Sequence, residues 1–158
     1  MRHRTRTERE GGRPLKYLLR YAASVGITVH AAHLEDGVLG EWYEEEREIY
    51  VDLKLTPDEV VFTIAHELGH AHNGDRCEGV PEVEERADVF ATQLLIEPAR
   101  YAELEREGLH HHDIAEELGV SDSALELWLR STIVRLRGVT YARARMGVGQ
   151  WLYRERTA

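Results

Sequence analysis

The pentapeptide His66-Glu67-Leu68-Gly69-His70 places two imidazoles and a carboxylate at a spacing that coordination chemistry can use. On a helix, residues four apart share one flank, so both rings can reach a single zinc ion at about 2.0 to 2.1 Å. Glu67 is turned about 100° from His66 and stays within reach of a water on that ion, where it would accept a proton. A Lewis acid, a polarised water and a base are the equipment of metal-assisted hydrolysis. The motif works only if the segment is helical, and its flanks predict that independently. Thr56-Pro57-Asp58-Glu59 offers an N-cap threonine, a proline at the first helical position and a glutamate three residues after the cap, which form a capping box. Asn73-Gly74 is a stop signal. A helix is therefore expected from Pro57 to about His72, buried through Val60, Ile64, Leu68 and Ala71 on an arc distinct from the histidines. Gly69 is expected to leave space beside the metal.

Zinc needs a third protein ligand, and the following segment, expected to be helical from Pro81 to Ile96, offers Glu82, Glu84, Glu85 and Asp88. With Val83 as zero and about 100° per residue, Ala87, Phe90, Ala91, Leu94 and Leu95 cover an arc from about −20° to 120°. Glu84 falls near 100° and Asp88 near 140°, whereas Glu85, near 200°, points to solvent. Two carboxylates beside a buried face need a reason to be there, because an unpaired buried charge costs several kcal/mol, and zinc supplies one. On this geometry Glu84 is the third ligand and Asp88 orients a ligating imidazole through its other ring nitrogen. If both are merely rim residues, Glu85 or Glu82 takes the metal. Cys77, in the loop between the two helices, is a weaker alternative.

The remaining elements must hold these two helices. Leu15, Leu18, Leu19, Ala22 and Val25 recur at helical spacing before Gly26, predicting a helix over about 14 to 25. Ile27 to Val29 is β-prone, and 38 to 43 with 49 to 55 flank the turn Glu44-Glu45-Glu46 as a hairpin. Short helices are expected near 99 to 107, 112 to 118 and 122 to 137. At 158 residues the chain has room for one core, and the fold class is α+β: a small, mostly helical single domain with an N-terminal helix, a short antiparallel sheet or hairpin, the HExxH helix and a C-terminal helix-turn-helix-like bundle. Residues 1–13 read as a disordered basic arm, 14–138 as the zinc-binding domain with a helix-turn-helix-like subregion at 110–135, and 139–158 as a basic extension.

A single cysteine excludes an intrachain disulfide and a cysteine zinc cluster. No stretch approaches the roughly 18 apolar residues of a membrane span, and the basic N-terminus lacks the apolar segment of a signal peptide, so a cytoplasmic location and no membrane partner are expected. The net charge of −9 is uneven, because residues 34–126 hold 26 of the 29 acids but six of the 20 basic residues. This reads as a solvated acidic body with basic ends.

Beyond these separate motifs, the chain resembles a known family. Gly40-Glu41-Trp42-Tyr43, Glu48-Ile49-Tyr50-Val51-Asp52, Phe62-Thr63-Ile64-Ala65 leading into the HExxH motif, and Glu84 to Asp88 followed by Phe90-Ala91 and Leu94-Leu95-Ile96 occur in order, as in the ImmA/IrrE family of metallopeptidases. The resemblance covers about residues 15 to 135. It implies zinc held by His66, His70 and Glu84, a catalytic Glu67 and Asp88 behind a ligand. It also implies limited proteolysis of a helix-turn-helix transcriptional repressor, often in phage, mobile-element or stress regulation. Asp88 stands where the family often has asparagine, and Leu95-Ile96-Glu97-Pro98 replaces the usual Leu-Met-Pro.

Other features compete for a role. His110-His111-His112 reads as a solvated loop from which one ring could reach the cleft as a donor. His30, His33 and His72 read as surface or packing residues, and Trp42, Trp128 and Trp151 as core or edge aromatics. The segment Ile114 to Leu125 reads like a helix-turn-helix, which would make the protein a DNA-binding regulator. Its second helix, however, opens with Ser121, Asp122, Ser123 and Glu126, and the first positive charge is Arg130, so nucleic acid is not expected as a specific ligand. A third class is a zinc-bound interaction protein without peptidase activity.

Overall fold

A computed structural model describes residues 12–75 and 79–137. Residues 1–11 of the arm expected over 1–13, Cys77 and the extension at 139–158 lie outside the described residues, as does Trp151, whereas Gly12 and Arg13 already belong to a helix. The order of elements is α1 (Gly12–Ser24), β1 (Thr28–Ala32), β2 (Gly40–Tyr43), β3 (Glu48–Asp52), α2 (Pro57–Asn73), α3 (Pro81–Leu95), α4 (Pro98–Arg106), α5 (His111–Leu118) and α6 (Asp122–Arg137). The architecture is α+β and mostly helical.

The expected boundaries are met where local chemistry sets them. Thr56 caps α2, its hydroxyl accepting from the Glu59 amide while the Glu59 carboxylate accepts from the Thr56 amide, and Gly74 closes the helix in the left-handed region at φ 68°. The third strand stops at Asp52, short of the expected Leu55, because the Asp52 carboxylate accepts the Lys54 amide at 2.8 Å and turns the chain. The hairpin forms as β2 antiparallel to β3, with Trp42 opposite Ile49. β1 adds on the far side of β3 in parallel, Val29 opposite Ile49, so the three-stranded sheet is mixed with order β1-β3-β2.

Two apolar clusters form. The first joins Leu18 and Ala22 of α1, Ile49 and Val51 of β3, Val61, Ile64, Ala65 and Leu68 of α2, and Ala91 of α3. The second joins Ile96 to Leu104, Ile114, Ala115, Leu125 and Trp128, so the helix-turn-helix-like unit is packed on α4.

The first cluster brings α2 against α3, and here the expectation for Gly69 is corrected. Gly69 does not open room beside the metal; a Cβ at that position would lie 2.8 Å from the Ala87 carbonyl oxygen and 2.9 Å from Ala87 Cα. The missing side chain is the space into which the backbone of α3 fits. An alanine at 69 gains about 0.5 to 1 kcal/mol of helix propensity but meets rigid backbone, and overpacking of that kind costs about 1 to 3 kcal/mol. Gly69→Ala is therefore expected to be less stable than the parent by urea denaturation. A gain in stability would show that the helices are not in this contact.

Candidate metal centre

The close approach at Ala87 carries Glu84, one turn before it, and Asp88, the residue after it, up to the histidine flank of α2. His66 Nε2 and His70 Nε2 are 3.0 Å apart, and Glu84 Oε2 lies 3.2 Å from the first and 3.6 Å from the second. Two donors bound at about 2.05 Å with a tetrahedral angle between them would be about 3.3 Å apart. The three side chains therefore converge as a metal site requires, and two nitrogens with one carboxylate oxygen are a donor set that suits zinc. The second Glu84 oxygen accepts the Gly79 amide at 2.8 Å, which fixes the carboxylate from the loop side.

Each imidazole is held by its other nitrogen. His66 Nδ1 meets Asp88 Oδ1 at 2.8 Å, and His70 Nδ1 meets Asp75 Oδ2 at 3.3 Å. An Nδ1–H donated to a carboxylate leaves Nε2 with its lone pair toward the shared point. Asp75 is the residue that sequence reasoning missed. It follows the left-handed Gly74, where the chain folds back over the last turn of α2 and the Asp75 amide donates to the His70 carbonyl at 3.0 Å. That Asn-Gly stop signal, followed at once by an aspartate, is the clue that could have found it. The Asp75 side chain is 6% exposed, and its other oxygen accepts from Arg86 of α3 at 2.7 Å. Burial alone would push the His66 proton off. The hydrogen bond to Asp88 and the charges of Glu67, Asp88 and Glu84 outweigh it, and the His66 pKa lies above its ordinary 6.5.

Glu67 is buried, 5% exposed, beneath the start of β2. Gly40 is the reason β2 can lie there, since a Cβ at 40 would come within 2.5 Å of Thr63 Cγ2 and 2.9 Å of Glu67 Oε1. Beside His70 opens a cleft of about 630 Å³ lined by Trp42, Tyr43, Glu44, Glu45, Glu46, His70 and Asp75.

The other candidates go elsewhere. Glu85 reaches toward Arg130 of α6 at 4.0 Å, and Glu82 shares with Glu85 the opposite side of α3, facing His72 and Asn73. His112 meets Asp122 at 3.0 Å and His111 Nε2 lies 3.3 Å from the Asp122 carbonyl, so this pair joins α5 to α6. His72 stacks on Phe90 and His30 on Tyr50. Trp128 is buried in the second cluster.

A family model for the IrrE N-terminal-like domain, Peptidase M78, matches residues 22–130. The chain belongs to this family. No curated protein matches it significantly. Among solved structures it is similar in fold to a Mycobacterium tuberculosis transcriptional regulator, with a TM-score of 0.58 and 19% identity, over 75% of this chain. The match spans 41% of that longer chain.

Three outcomes follow for metal content. Glu84→Ala is expected to lose bound zinc and Glu85→Ala to keep it, by elemental analysis; the reverse pattern would move the third ligand to Glu85. Asp75→Asn is expected to weaken zinc binding about 10- to 100-fold while leaving the ligands in place. Because zinc must displace the proton from His66, affinity is expected to fall as the pH drops through the raised His66 pKa. In the metal-free protein the protonated ring is instead stabilising. That contribution is complete below about pH 6.5 and is lost as the pH rises through the raised value, which thermal melts of the metal-free protein at stepped pH would register.

Proposed function

We propose that the chain is a zinc-dependent endopeptidase that makes a limited cut in a regulatory protein, a helix-turn-helix transcriptional repressor being the substrate that the family resemblance implies. The observation that carries this reading is the convergence of His66, His70 and Glu84 within 3.6 Å, with the buried carboxylate of Glu67 on the same helix. Metal-site geometry alone would serve a structural ion as well. A buried carboxylate next in sequence to a ligand, and outside the donor cluster, suits proton transfer instead.

Zinc at this point would polarise a scissile carbonyl and acidify water. Glu67 takes the proton of the attacking water and returns it to the leaving amine. Asp88 and Asp75 keep both imidazoles in the tautomer that presents Nε2. Extended substrate has a natural seat, because β2 pairs only with β3 among the described residues and its other edge can accept a strand alongside Glu67. In this reading the unit at 110–135 is a packing module, since Ile114, Ala115, Leu125 and Trp128 are used in the core and Asp122 begins α6. No helix among the described residues is long and apolar enough to cross a membrane.

The decisive experiment is incubation of the zinc-loaded protein with helix-turn-helix repressors of the same cell, with and without chelator, in parallel with Glu67→Gln. The substitution is nearly isosteric and Glu67 lies outside the donor group, so the variant should keep its zinc and its partner while cleavage falls by about 10²- to 10⁴-fold. Undiminished cleavage or undiminished derepression by zinc-loaded Glu67→Gln would overturn the peptidase assignment in favour of action by binding.

A further inference from the structure

Arg86 lies two residues after Glu84 and two before Asp88, so helical phase turns it about 160° from both. Those carboxylates meet the histidines from one flank of α3, while Arg86 leaves the other flank, beside His72 and Asn73, and reaches the end of α2 from the opposite side. There its guanidinium donates to Asp75 Oδ1 at 2.7 Å, and the second oxygen of the same carboxylate faces His70 Nδ1 at 3.3 Å. α3 thus grips the last turn of α2 from both flanks, with the Ala87 contact to Gly69 between them.

This pair differs from the surface ion pairs that contribute little. The Arg86 side chain is 59% exposed, but that of Asp75 is 6% exposed. An exposed guanidinium keeps most of its hydration, whereas a buried carboxylate needs partners in place of the water it has lost. The Asp75 backbone is already fixed by its amide bond to the His70 carbonyl, so Arg86 acts on what remains free, the side chain. His66 is held differently. Its acceptor, Asp88, is 38% exposed and can be solvated where it stands. One imidazole therefore leans on a carboxylate open to water, and the other on a sealed carboxylate bound to a cation from α3.

We propose that Arg86 is a positioning residue of the metal centre: it holds the Asp75 carboxylate, and through it the His70 imidazole, with Nε2 turned toward His66 and Glu84. This rests on the zinc site described above and is independent of whether the protein cuts a peptide bond. Without the guanidinium, Asp75 is a buried anion drawn toward water, and a His70 ring that loses its acceptor can rotate or change tautomer. The affinity for zinc falls although no ligand is altered.

The test measures zinc dissociation constants of the full-length protein by competition with a chromophoric chelator, for the parent, Arg86→Gln, Arg86→Lys, Asp75→Asn, Asp88→Asn and the double variants. Arg86→Gln should weaken zinc binding about tenfold. Arg86→Lys keeps the charge and should recover part of that loss, and it replaces Arg86→Gln in the double variants if the latter does not fold. On the Asp75→Asn background, removing Arg86 should cost nothing further, because the group it acts through has already been changed. On the Asp88→Asn background, which affects the other ring, the two losses should multiply. A merely structural role would lower the melting temperature of the metal-free protein and would multiply with both aspartate variants alike. Proton NMR of the zinc-loaded protein reads the same link directly: in Arg86→Gln the Nδ1–H of His70 should exchange faster with water, and that of His66 should not. Unchanged affinity in Arg86→Gln, or losses that multiply equally on both backgrounds, overturns the assignment and leaves the metal centre standing. A parent protein that takes up no zinc overturns the metal centre and this assignment together.

Discussion

Everything at the candidate metal centre depends on how closely α2 and α3 approach at Gly69 and Ala87. With a Cβ at 69 the backbones could not sit as they do, and Glu84 and Asp88 would be displaced together, because they lie on either side of the contact. A tolerance of a few tenths of an ångström matters to a site whose donors are 3.0 to 3.6 Å apart. Packing density, usually counted as stability, here also acts as coordination geometry.

The outer carboxylates extend the same logic. Asp88 reaches His66 from α3, while Asp75 reaches His70 from the closing turn of α2 and is gripped in turn by Arg86 of α3. Both rings are thus held from the two elements whose contact forms the site. The metal-free protein confines several acids in a small volume, and the raised His66 pKa is the sign that a positive charge is welcome there.

Much of this was legible in the residues. The HExxH spacing, the capping box at Thr56 and the left-handed glycine at 74 are local signals, and local chemistry decides them. Helical phase also separated Glu84 from Glu85, because the same 100° step that buries Ala87 turns Glu84 inward and Glu85 toward Arg130. What was not legible depended on tertiary contact. The partner of β1 could not be read from a short β-branched run, since parallel pairing with β3 is set by strands more than 15 residues away. Asp75 escaped because its role arises from a backbone reversal, and no periodicity records that. Gly69 was misread because a glycine beside a ligand suggests vacancy, while the sequence does not say which backbone fills it.

The two apolar clusters meet at Leu95, which packs against both, and α3 also lies against α6. One helix therefore carries two carboxylates of the metal centre in its first two turns and the seam between the cores at its last. An ion that binds only the assembled α2–α3 pair stabilises that pair by mass action, and the gain propagates to α4, α5 and α6 only as far as α3 conveys it. The two clusters are thus joined in series through α3, so stabilisation of the α2–α3 pair would reach the helix-turn-helix-like unit only through that shared helix.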